Sequence, residues 1–194
     1  MKLFFTLICC LWSVLCVAQE FKPFKVNTSI GYARPARSTS AGGVLIGVEP
    51  KYGLSDHLDI GLRIEGAIMG RTLELLNWAS ETRLQFSGSY VLTGTYLFTT
   101  TDFRPYAGLG VGFFRTGGMR LGEDQSILLS ASHKPGGMVR AGFKYDHFNF
   151  GLDYNIVPTS KYLMDVAPAK TATAKSFNSY LGVRIGFDIG GGWY

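Results

Sequence analysis

The sequence predicts an all-β fold: an eight-stranded antiparallel up-and-down transmembrane β-barrel, with short periplasmic turns and longer external loops. Three observations predict it. Eight stretches of about ten residues alternate apolar and polar side chains, the period of a strand whose two faces meet different surroundings. The connections between these stretches alternate between short and long. Beyond the first residues, no segment reaches the eighteen or so apolar residues that a transmembrane helix needs.

Residues 1–18 read as a cleaved signal peptide. Lys2 supplies a positive start, Leu3 to Val17 an apolar run too short to span as a helix, and Cys16-Val17-Ala18 a small-residue cleavage site before Gln19. Residues 19–194 are then expected to form a single barrel domain. All three cysteines, Cys9, Cys10 and Cys16, fall inside the leader, so the remainder holds no thiol for a disulfide or a metal site. Without Lys2 the formal charge falls from +5 to +4.

The strands follow in order. The first, about Lys25 to Ala33, sets Val26, Thr28, Ile30 and Tyr32 on one face, and the second, about Gly43 to Gly53, sets Val44, Ile46, Val48 and Tyr52. The third, about Leu58 to Gly70, opposes Leu58, Ile60, Leu62, Ile64 and Ile68 to Asp59, Arg63 and Glu65. In the fourth, Thr82 to Phe98, an apolar face from Leu84 to Phe98 opposes Arg83, Gln85, Ser87, Ser89, Thr93 and Thr95. The fifth, Arg104 to Phe114, sets Ala107, Leu109, Val111 and Phe113 against Gly108, Gly110 and Gly112. The sixth, Gly137 to Asp146, opposes Val139, Ala141, Phe143 and Tyr145 to Arg140 and Lys144. The seventh, Phe148 to Ile156, opposes Phe150, Leu152, Tyr154 and Ile156 to Asn149, Asp153 and Asn155. The eighth, Phe177 to Ile189, opposes Leu181, Val183, Ile185, Phe187 and Ile189 to Asn178, Arg184 and Asp188.

The connections after the second, fourth and sixth strands are short. Those after the first, third, fifth and seventh are long: Arg34 to Gly42, Arg71 to Glu81, Arg115 to Gly136 and Val157 to Ser176. This parity puts every long loop on one end, the external one, and both chain termini in the periplasm. Pro50 cannot donate a ladder hydrogen bond, so it is expected near the periplasmic rim at a bulge.

Alternation alone would also suit a soluble barrel whose apolar face points inward around a ligand. The polar face here is rich in glycine and serine, which suits a narrow crowded interior. Aromatics recur near strand ends, at Tyr32, Tyr52, Phe98, Phe103, Phe148 and Tyr154, as interfacial girdles do. The run Tyr180-Leu181-Gly182-Val183-Arg184-Ile185-Gly186-Phe187 resembles the C-terminal insertion signal of outer-membrane barrels, carried by Tyr180, Gly182, Ile185 and Phe187. It departs from the commonest form because Asp188 to Tyr194 follow it. With Arg104-Pro105-Tyr106-Ala107-Gly108-Leu109-Gly110-Val111-Gly112, the chain resembles the small outer-membrane β-barrel superfamily that includes OmpA, OmpX and OmpW. The Gly-Gly-Gly tail is similar to that of its Bacteroidetes members. The resemblance implies a Gram-negative outer membrane as the location and the barrel-assembly machinery as a partner during insertion.

An eight-stranded barrel is just wide enough for side chains to fill it. The inward charges are Asp59, Arg63, Glu65, Arg83, Arg140, Lys144, Asp153, Arg184 and Asp188, and unpaired burial is costly, so they are expected to pair. A salt-bridged plug is favoured over a gated path. Catalysis finds little support: His57, His133 and His147 are scattered over two turns and one loop, and only His133 has hydroxyls nearby, at Ser130 and Ser132. No cysteine or histidine cluster has metal-ligand spacing, and no helix follows the glycine-rich fifth strand to receive a phosphate. No cofactor, metal or nucleic acid is expected.

The loops hold nine cations (Arg34, Arg37, Arg71, Arg115, Arg120, Lys134, Lys161, Lys170, Lys175) against five anions (Glu74, Glu81, Glu123, Asp124, Asp165). Their excess of four cations suits contact with outer-membrane lipids and lipopolysaccharide phosphates. Leu73, Leu75, Leu76 and Trp78 form an apolar patch in the second loop. The expectation is a monomeric barrel with a structural, adhesive or envelope-maintenance role. The alternatives are porin-like passive transport of small or apolar solutes, as its OmpW-like relatives suggest, and accessory service in a larger outer-membrane complex.

Overall fold

A computed structural model describes residues 22–36, 42–72, 82–116, 119–121, 127–129, 132–167 and 170–192. The expected signal peptide, the expected apolar patch of the second loop and the last two residues lie outside them. Twelve strands are described: β1 (Lys22–Pro35), β2 (Gly43–Ser55), β3 (Leu58–Thr72), β4 (Thr82–Leu97), β5 (Phe103–Thr116), β6 (Met119–Leu121), β7 (Ile127–Leu129), β8 (Ser132–Tyr145), β9 (Phe148–Ile156), β10 (Ser160–Ala167), β11 (Lys170–Ser176) and β12 (Tyr180–Gly192). Eight of them close into an antiparallel barrel in the order β1-β12-β9-β8-β5-β4-β3-β2. Closure runs through β1 and β12, in register from Lys25↔Gly190 to Pro35↔Tyr180, so the barrel leaves no edge strand.

The two-residue periodicity decides which side meets what. Ile30, Ile46, Leu109, Val111, Phe113 and Ile185 are all about 60% exposed or more, and every apolar face named from the sequence contributes outward side chains. A continuous apolar wall of this extent is the lipid-facing surface of a membrane barrel, the reverse of a soluble barrel with an apolar interior. Aromatic side chains gather at both ends of the wall. Near the short turns Tyr96 meets Phe98 edge-on at 5.5 Å, and Phe148 meets Phe187 at 5.2 Å.

Three short connections join β2 to β3, β4 to β5 and β8 to β9. The last is the two-residue turn Asp146-His147, where Asp146 takes the left-handed φ of 52° that aspartate tolerates better than most residues. Both histidines of the short turns pin neighbouring strand ends. The Nδ1–H of His57 donates to the Leu97 carbonyl at 2.8 Å, and that of His147 to the Asp188 carbonyl at 3.0 Å.

The structure corrects three expectations. The third and fourth long connections contain the hairpins β6–β7 and β10–β11, and β8 begins at Ser132 instead of Gly137, which shortens the third. Arg34, Arg71, Arg115 and Lys134, counted as loop cations, belong to barrel strands. Pro50 makes no bulge either. Its lack of an N–H interrupts the β2–β3 ladder between Val48↔Ile64 and Lys51↔Gly61 without shifting the register, and the irregularity of that pair lies at Gly53/Ser55.

Candidate functional site: the barrel lumen

Inward positions of adjacent strands fall at matched heights, so the pairing register stacks the lumen into levels. Nearest the short turns, Lys25 Nζ donates to Asp59 at 2.7 Å, Asn27 donates to Asp188 at 2.7 Å, and Lys144 pairs with Asp188. One level further in, Glu49 is the hub. It accepts from Arg140 at 2.8 Å and from the Thr93 hydroxyl at 2.6 Å, with Lys51 Nζ 3.8 Å away. Arg140 also donates to Thr95. Gly61 is needed here, because a Cβ would come within 2.8 Å of the Glu49 carboxylate and 2.9 Å of the Thr93 hydroxyl.

At mid-lumen two arginines share two carboxylates. Arg184 donates to Glu65 at 2.7 Å and its Nε lies against Asp153. Arg63 lies 3.5 Å from Asp153 and 3.8 Å from Glu65, and donates to the Asn155 amide oxygen at 2.6 Å. Tyr180 completes the cluster by donating its hydroxyl to Glu65 at 2.6 Å. Arg63, the largest fully buried side chain among the described residues, is 1% exposed.

Toward the long loops the chemistry changes. Ala33, Leu45, Ala67, Met69, Val91, Phe114, Met138, Val157 and the Tyr180 ring form a buried apolar cluster inside the barrel. Leu45, Met69 and Val91 are 0% exposed, and a water-filled path at that level would expose the atoms lining it.

Of the inward charges named from the sequence, Asp59, Arg63, Glu65, Arg140, Asp153, Arg184 and Asp188 are buried in this network, and Lys144 closes it at the short-turn mouth. Arg83 is described in backbone only, so its side chain lies outside the described residues. The sequence reading missed Lys25, Glu49, Lys51, Tyr106 and the whole apolar cluster. The parity of Lys25, Glu49 and Lys51 along β1 and β2 carried the signal for the charges. On the final strand, Ile185 and Phe187 face outward, Gly182 is buried, and Tyr180 points into the lumen. His133 is exposed on the outside of β8, at the opposite end of that strand from His147, and the described residues hold no group of three or more His, Cys, Asp or Glu placed to bind a metal.

No protein-family model and no curated protein matches the chain. Solved structures do. The outer membrane protein OprG from Pseudomonas aeruginosa superposes with a TM-score of 0.62 over 88% of this chain and 97% of its own, at 13% identity. Neisserial surface protein A gives 0.52 over 84% and 96%, at 18% identity. The N-terminal β-barrel domain of Pseudomonas aeruginosa OprF gives 0.51 over 88% and 100%, at 16% identity. With its outward apolar wall and closed ladder, the chain has the fold of the small integral outer-membrane β-barrels.

Proposed function

We propose that the protein is a sealed outer-membrane barrel that acts through its surfaces, in a structural, adhesive or envelope-maintenance role, and not as a channel or an enzyme. The observation that carries this reading is the filled lumen. Among the described residues, Lys25, Lys51, Arg63, Arg140, Lys144 and Arg184 face Glu49, Asp59, Glu65, Asp153 and Asp188, and a buried apolar level stands above them. In this reading the short turns and both termini face the periplasm and the long loops face outward. Insertion proceeds through the barrel-assembly machinery reading Tyr180, Gly182, Ile185 and Phe187. Planar-bilayer recording of the refolded protein tests the central claim: no discrete conductance steps are expected. Steady single-channel currents would replace it with passive transport of small solutes.

A further inference from the structure

The outer wall carries a second feature, at its long-loop edge. Arg34 on β1 pairs with Leu181 on β12, which pairs with Tyr154 on β9, so three outward side chains stand side by side in one row. Beyond that row the chain continues through Pro35 and Ala36, with the Ala36 N–H donating to the Ser179 carbonyl at 2.9 Å. These small residues leave a trough of about 310 Å³ between Arg34 and Tyr154, floored by Leu181. That volume is at the lower end of the range for small-molecule sites. The Arg34 side chain is exposed and makes no ion pair among the described residues. Across the outward-facing positions of the barrel strands, the charged side chains described are Arg34 and Arg115, both at the long-loop edge. The short turns carry Asp56, Asp102 and Asp146. The trough thus joins an apolar floor on the outer wall to an exposed guanidinium at its long-loop edge.

We propose that this trough holds a phosphorylated glycolipid of the outer leaflet, with an acyl chain over Leu181 and a phosphate on the Arg34 guanidinium. Arginine offers a planar fork of donors that matches phosphate oxygens two at a time. The Tyr154 ring, amphipathic and at the interface, walls the opposite side. The proposal rests on the orientation given above, because only the outer leaflet presents such a lipid.

Native mass spectrometry of the protein purified from membranes, in micelles doped with purified lipid A, reads the site. Wild type should retain a bound lipid A. Arg34→Gln should lower the retained fraction about ten-fold, the loss of one charge-assisted phosphate contact. Arg34→Lys should keep most of it, Arg115→Gln should leave it unchanged, and lipid A stripped of phosphate should behave with wild type as intact lipid does with Arg34→Gln. That last arm holds even if Arg34→Gln does not fold. Equal retention by Arg34→Gln, an equal loss in Arg115→Gln, or preferential retention of phosphatidylglycerol would each overturn the site. Orientation is read separately, by surface labelling of an epitope inserted between Gly122 and Glu123 on intact cells. Failure to label while lipid A is still retained would sink the orientation, and with it the outer-leaflet ligand, without touching the trough itself.

Discussion

The two halves of the lumen are closed by different physics. Toward the short turns and at mid-height, the interior is filled by charges whose positions are fixed by their partners: Glu49 by Arg140 and Thr93, Glu65 by Arg184 and Tyr180. Toward the long loops it is filled by Leu45, Met69, Val91 and Met138, which need volume but no directed partner. The charged half specifies strand register, since a shift of one residue would send every partner to lipid. The apolar half fills the remaining volume and tolerates exchange among side chains of similar volume. A single deletion should therefore cost more in the first half than in the second.

The largest expected effect comes from stranding charge. Arg184→Met leaves Arg63 as the cation beside Glu65 and Asp153, with Tyr180 still donating to Glu65, and should destabilise the inserted barrel by about 3–5 kcal/mol, measured by urea titration in lipid vesicles. Replacing Glu49 and Arg140 together, by leucine and methionine, should cost less than removing Arg140 alone, because the carboxylate most dependent on Arg140 goes with it. If Arg184→Met is nearly neutral, water reaches the mid-lumen pairs and the contrast between the halves collapses.

Truncating the apolar half is the milder break. Leu45→Ala should cost about 2–5 kcal/mol, most of it the cavity left where the site cannot collapse. It should not open the barrel to ions, since the charged levels remain in place. Conductance steps in Leu45→Ala, with none in Arg184→Met, would identify the apolar half as the seal and the charged half as scaffold only.

The outer wall gives the reference for both. Ile64→Arg, one residue from the buried Arg63 but facing outward, should cost about 2–4 kcal/mol if it lies near the bilayer midplane. The penalty there comes from lipid rather than from a broken pair. Insertion as ready as wild type would place Ile64 above the hydrocarbon.

How legible this was in the sequence differs by half as well. Asp59, Arg63 and Glu65 stand between outward isoleucines and leucines, so alternation alone placed them inside. Glu49 and Lys51 obey the same parity, but Pro50 between them suggested a rim, and a rim charge needs no partner. The apolar half left a fainter trace, because an apolar residue facing inward simply breaks the alternation. Val44-Leu45-Ile46 and Ala67-Ile68-Met69 are such breaks, each toward the long-loop end of its strand, and Tyr90-Val91-Leu92 is another, at mid-strand opposite Arg63. Read together they mark where the interior changes from polar to apolar. Which cation meets which anion was not legible, since it depends on the register of strands as far apart in sequence as Glu65 and Arg184.

Tyr180 is where the halves meet, and it gives the smallest expected effect. Its ring belongs to the apolar cluster while its hydroxyl donates to Glu65, so one side chain satisfies both kinds of packing. Tyr180→Phe removes the hydroxyl and keeps the ring. Glu65 retains Arg184 at 2.7 Å, so the carboxylate is weakened and not stranded, and the cost should be about 1–2 kcal/mol in the same titration. Because the aromatic ring persists at the first position of the insertion signal, the rate of assembly into membranes should not change. A slower assembly at unchanged stability would mean that Tyr180 serves insertion through its hydroxyl. A loss as large as that of Arg184→Met would mean that Glu65 depends on the tyrosine more than on the arginine, and the boundary between the two halves would move one level toward the short turns.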